Sequence, residues 1–124
     1  MSSRREARRT AIFLLYQWDV TGRPLASLYE GEIDRYARDL ADDVTERAEA
    51  IDTRVSVASI GWPAERLGAL ERNVLRVAVL ELDRGEVPID VVIDEAVTLA
   101  KRYASDDAGR LVHGILARIA REAA

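Results

Sequence analysis

Apolar residues recur along this chain at three- and four-residue steps, the spacing that gathers side chains on one face of an α-helix. The pattern predicts a first helix over "RREARRTAIFLLYQWDV", capped by Ser2-Ser3 and ending near "TGRP", with Ala7, Ala11, Leu14, Leu15 and Trp18 facing the core. A short helix or loop, "LASLYEGE", follows. A long helix is predicted from about Asp34 to Ser59, because Tyr36, Leu40, Val44, Ala48, Ile51, Val55 and Ala58 keep helical spacing. "IGWP" breaks it, and "PAERLG" reads as a short helical turn. "ALERNVLRVAVLELDRG" is apolar almost all round, so it is expected at the centre, ending at Gly85. Pro88 opens the next helix, "PIDVVIDEAVTLAKRYA", and Ser105 caps the last, "DDAGRLVHGILARIAREAA", whose first turn holds Asp106 and Asp107. "VPIDVVI" resembles a strand in isolation, but its apolar pattern continues at helical spacing through Ala96, Leu99 and Tyr103. The expectation is an all-α, compact bundle of about six to seven helices in one domain, 1–124.

Charge changes this picture at one place. The chain is acidic, with a net charge of -4, yet it opens with four arginines between Arg4 and Arg9. On a helical wheel Arg5, Arg9, Ile12 and Tyr16 fall in one sector roughly 40–60° wide, far from the expected core face, with Arg8 beside it. Guanidinium forks match phosphate geometry, and arginine and tyrosine planes stack on unpaired bases. A local basic patch on an acidic protein would steer RNA to one place. The structural alternative is a solvated helix end with Glu6 as internal partner.

Other polar positions support less. Arg72, Arg76 and Asp83 form a polar stripe read as the wet side of the central helix, with Arg76 available to a basic surface. Glu81 lies with Leu70, Val74, Val77 and Ala78, so its carboxylate must be paired or hydrogen-bonded, and a structural ion pair or a helix-terminus contact is the better account than a catalytic acid. Asp94-Glu95 and Asp106-Asp107 are neighbours that do not face each other on a helix and make poor metal sites. The chain has no cysteine and one histidine, His113, read as a surface or semi-buried residue; this excludes thiolate metal sites and a multi-histidine zinc centre. No phosphate loop, nucleophile elbow or dinucleotide fingerprint is present, so nothing reads as an enzyme, and no cofactor is expected. Lys101 is the only lysine. Gly114, near the apolar face of the last helix, is expected to admit a neighbouring helix; Gly109 is expected to let a ligand or partner backbone come close. There is no membrane span or secretory signal, and a cytoplasmic protein is expected.

Several segments carry a resemblance. "RREARRTAIFLLYQWDVTG", "ALERNVLRVAVLEL" and the ungapped "VPIDVVIDEAVTLAKRYASDDAGRLVHGIL" resemble the NusB family of bacterial transcription antitermination factors, while "RPLASLYEGEIDRYARDLADDVTE" matches in helical pattern only. The resemblance implies an all-helical fold of two three-helix groupings. It also implies binding of boxA, a single-stranded RNA element of nascent ribosomal RNA, together with NusE, a ribosomal small-subunit protein, in an antitermination complex on RNA polymerase. By the same resemblance, Arg4, Arg5, Arg8, Arg9, Arg76, Arg110 and Leu111 are RNA-binding positions, and Tyr16, Glu71 and Asp107 lie at or near the NusE interface. Self-association into a homodimer is a further implied state. The chain departs from the family where Leu111 replaces a phenylalanine, which weakens a stacking contact worth ~1–3 kcal/mol per base. It departs again where His113 and Asp94 replace asparagines. Two competing readings are a NusB-like accessory domain of an RNA cytosine methyltransferase, for whose cofactor-binding sheet the chain leaves no room, and a purely structural module that dimerises.

Overall fold

A computed structural model describes residues 3–60 and 63–123. Ser2, Gly61, Trp62 and Ala124, which the sequence reading placed in a cap, a break and a helix end, lie outside the described residues. Among the described residues five α-helices form: α1 Arg4–Thr21, α2 Arg35–Ala58, α3 Ala69–Arg84, α4 Ile89–Tyr103 and α5 Asp106–Ala123. Two single 3₁₀ turns, Leu25–Leu28 and Ala64–Arg66, complete the helical set, and no strand occurs among the described residues. The expected six to seven helices are thus five, because "LASL" and "AER" are too short to nucleate an α-helix and stop at one tight turn.

Local chemistry sets the ends. The Ser3 hydroxyl accepts from the Glu6 amide at 3.1 Å, and Gly22, at φ 72°, closes α1 with its N–H on the Trp18 carbonyl. Asp34 caps α2 by accepting from the amides of Tyr36 and Ala37. Ser105 caps α5 by accepting from the Ala108 amide at 3.0 Å. Gly85, at φ 67°, ends α3.

The centre is α3, buried without interruption from Asn73 to Glu81. It touches all four other α-helices: α1 and α2 pack with it on one side, α4 and α5 on the other. The two three-helix groupings therefore share α3. Its own Leu75 and Leu80, and Leu15, Leu40, Val44 and Leu116 from the helices around it, are fully buried, each contributing roughly 1.5–3 kcal/mol on leaving water.

Three local expectations fail. Ile12 does not share the outward face with Arg5 and Tyr16; it is buried, lining the junction of α1, α3 and α4 with Arg8, Val77, Val92 and Leu99. The cause is that α1 is covered from more than one side, so its buried arc is wider than a single stripe. Arg72 and Arg76 are not a wet side of α3, since carboxylates from α1 and α2 cover them. Gly114 is exposed, and a Cβ there would meet nothing within 4 Å, so no helix approaches it.

Candidate nucleic-acid interface

The four N-terminal arginines have different fates. Arg4 extends toward the start of α2, with its guanidinium 4.8 Å from the Tyr36 ring centroid. It shares a cleft there with Asp34, Arg35 and Asp39. Arg5 reaches the other way, to α4, where Nε lies 3.1 Å and 3.2 Å from the two Glu95 carboxylate oxygens and Nη2 lies 2.8 Å from Oε1. The Arg5 side chain remains 71% exposed. Its guanidinium has five N–H donors, so Glu95 does not exhaust it. Arg9 is half-buried and has no ion-pair partner among the described residues.

Arg8 points inward. Its Nε and Nη2 donate to the two carboxylate oxygens of Glu81 at 2.6 and 3.0 Å, and the Tyr36 hydroxyl donates to Glu81 Oε2 at 2.7 Å. This is the structural ion pair that the placement of Glu81 required. Burial and the adjacent carboxylate push the Tyr36 hydroxyl above its ordinary pKa. Burial alone would lower Arg8, but the hydrogen bond and charge of Glu81 outweigh it and keep the guanidinium protonated.

Arg76 sits elsewhere, beside Asp19, which lies about 21 Å along α1 from Arg5 at 1.5 Å per residue. Its Nε and Nη2 donate to the Asp52 carboxylate at 2.8 and 2.7 Å, and its Nη1 donates to Asp19 Oδ2 and Asn73 Oδ1 at 3.0 Å each. The Trp18 ring covers it at 5.5 Å. Asp19 Oδ2 also accepts from Arg72 Nε at 2.7 Å and Asn73 Nδ2 at 3.1 Å. Burial would raise the Asp19 carboxyl, but the Arg72 hydrogen bond and the Arg76 charge overcome it and hold the group below the usual carboxylate range. Every buried side-chain nitrogen and oxygen among the described residues has a partner. Sequence reading missed Asp19, although a signal exists: an acidic residue in the last turn of a helix opposes the helix dipole and calls for a cationic partner.

The remaining positions sort by exposure. Arg110 and Leu111 are exposed at the start of α5, and Arg110 pairs with the exposed Asp107. Tyr16 is exposed on a stripe with Phe13 and Val20, spaced three and four residues apart along α1. The Phe13 ring meets Tyr103 of α4 edge-on, with centroids 5.1 Å apart. The stripe is an exposed apolar patch along one helix, the composition of a protein-docking face. Glu71 is half-buried, and its carboxylate folds back over Gly68, where a Cβ would lie 2.0 Å from Oε2. Among the described residues no group of three His, Cys, Asp or Glu is placed to hold a metal, and no helix is long and apolar enough to cross a membrane.

The NusB family model matches residues 5–121. The chain belongs to the NusB family. It is 40% identical over 121 residues to the transcription antitermination protein NusB of Rubrobacter xylanophilus, covering 92% of this chain and 87% of that protein. It is 35% identical to its counterpart in Solibacter usitatus, covering 98% of this chain and 91% of that one. Two solved NusB structures share the fold. T. maritima NusB superposes with a TM-score of 0.87 at 34% identity, covering 98% of this chain and 92% of that one. A chain in the crystal structure of antitermination factors NusB and NusE in complex with double-stranded RNA superposes with a TM-score of 0.83 at 32% identity, covering 96% of both chains.

Proposed function

We propose that the chain, acting as one domain over 1–124, is a non-enzymatic transcription antitermination factor. It binds boxA RNA of nascent ribosomal transcripts together with NusE and helps assemble an antitermination complex on RNA polymerase. The observation that carries this reading is the pair of exposed or half-exposed guanidiniums at Arg5 and Arg9, one turn apart at the N-terminal end of α1. A local group of cations on an acidic chain draws a polyanion to that place. The names of the relatives and the NusB–NusE–RNA neighbour support the same reading.

Within it, Arg4, Arg5, Arg9 and Arg110 contact phosphates, and Leu111 offers an apolar surface to a base. Arg8 and Arg76 act as positioning residues, because carboxylates inside the fold already use their donors. NusE docks on the α1 stripe at Tyr16, with Asp107 and Glu71 on its margins. Fluorescence anisotropy of a labelled boxA RNA against a scrambled RNA, with and without NusE, tests this. Preference for boxA that tightens with NusE is expected. Equal affinity for the two RNAs in both conditions would overturn it and leave the accessory-domain or self-associating reading.

A further inference from the structure

On the flank of α4 away from Arg5, the side chains of Lys101, Arg110 and His113 line a cleft of about 260 Å³ between α4 and α5. Val97 and the backbone of Gly109 complete it. No carboxylate is among these five residues. Arg110 pairs with Asp107, while Lys101 and His113 have no hydrogen-bond or ion-pair partner among the described residues.

The cleft also explains Gly109, a buried glycine inside a helix, where it gives up roughly 0.5–1 kcal/mol relative to alanine. A Cβ at that position would lie 2.4 Å from Lys101 Cγ, 3.0 Å from Cε and 3.2 Å from Cδ. Glycine therefore lets the whole Lys101 stem lie flat across α5 and carry its ammonium to the cleft, instead of swinging free in solvent. The chain's one lysine is the residue seated this way.

Ammonium and guanidinium groups donate and do not accept, and the imidazole adds a further donor. A site of that kind suits an anion with several acceptor oxygens. Its position fits a strand coming from α1. Arg5 meets Glu95 and Phe13 meets Tyr103, so α1 and α4 run side by side in the same direction. Arg102, next to Lys101, lies 5.5 Å over the Tyr103 ring. Cations thus stand on both flanks of α4, Arg5 on the side of α1 and Lys101 at the cleft.

We infer that the Lys101–Arg110–His113 cleft is a phosphate pocket that takes a phosphodiester of the bound RNA beyond the α1 arginines; this rests on the RNA-binding reading above. The chain's single histidine provides one Cε1–H resonance to follow by NMR in the full-length protein. Titration with boxA RNA is expected to move that line, and Lys101→Gln is expected to abolish the movement. In anisotropy the same variant is expected to weaken RNA binding several-fold and reduce the slope of log affinity against log salt by about 0.7, one single-strand phosphate contact. Unchanged melting of Lys101→Gln, whose side chain is exposed, separates this from misfolding. RNA that binds by anisotropy without moving the His113 line, or with a slope unaffected by Lys101→Gln, overturns the pocket and leaves the RNA reading standing. A line moved by inorganic phosphate but not by RNA overturns the phosphodiester as its ligand. No RNA binding by the unmodified protein overturns both readings.

Discussion

Burying Arg8 against Glu81 places two charges where neither is tolerated alone. Arg8→Ala is expected to destabilise the protein by ~3–5 kcal/mol, because it leaves an uncompensated buried carboxylate. Replacing the whole cluster with apolar side chains, Arg8→Met with Tyr36→Phe and Glu81→Leu, is expected to recover most of that loss while RNA affinity stays near the starting value. Denaturant midpoints and RNA titrations check both. Lost affinity in a stable triple variant would make Arg8 an RNA contact after all. Asp19 yields a pH dependence. Its carboxyl is held below its unfolded value of ~3.9 by Arg72 and Arg76 against the burial cost. The stability it contributes is fully present above about pH 4 and is lost as pH falls through the folded value. Asp19→Asn should therefore be less stable than the unmodified protein at neutral pH, with the gap narrowing as pH falls below about 4. A gap of constant size in urea titrations would contradict this.

At the scale of elements, α2 ends with a local strain. Ile60, just beyond its last turn, has φ 51°, a left-handed conformation that a β-branched residue adopts at a cost, and its side chain is exposed. Ile60→Gly is expected to raise stability by ~0.5–1 kcal/mol, the relief of strain exceeding the added unfolded-state entropy. A lowered melting temperature would mean that the exposed Ile60 side chain contributes packing that outweighs the strain. The elements themselves were legible. Helical spacing, with the caps at Ser3, Gly85 and Ser105, fixes α1, α2, α3 and α5 to within a residue or two, while the Asp34 cap of α2 emerged only in the structure. Which arginines face inward was not legible. A wheel treats charge as a mark of the outside, and only the packing of α1 and α2 onto α3 reveals that Asp19, Asp52 and Glu81 wait for Arg72, Arg76 and Arg8. Lys101 was missed for a similar reason: its seat on Gly109 depends on how α4 crosses α5.

For the whole molecule, the division of labour among arginines is the main consequence of the fold. One set ties α1, α2 and α3 together through buried or half-buried carboxylates, and a second set at the N-terminal end of α1 stays accessible. The claim that this second set holds RNA is tested most directly by Arg5→Glu with Arg9→Glu. The measurements are anisotropy of labelled boxA RNA over a range of salt, far-UV circular dichroism and thermal melting. Helicity should stay nearly unchanged and melting should fall only modestly, because the Arg5–Glu95 pair that is lost lies at the surface and Arg9 has no partner to lose. Affinity should fall by about tenfold or more, and the salt slope should shrink by about 1.4, two single-strand phosphate contacts. Unchanged affinity and slope, or a collapse of melting in step with the loss of binding, would contradict the account.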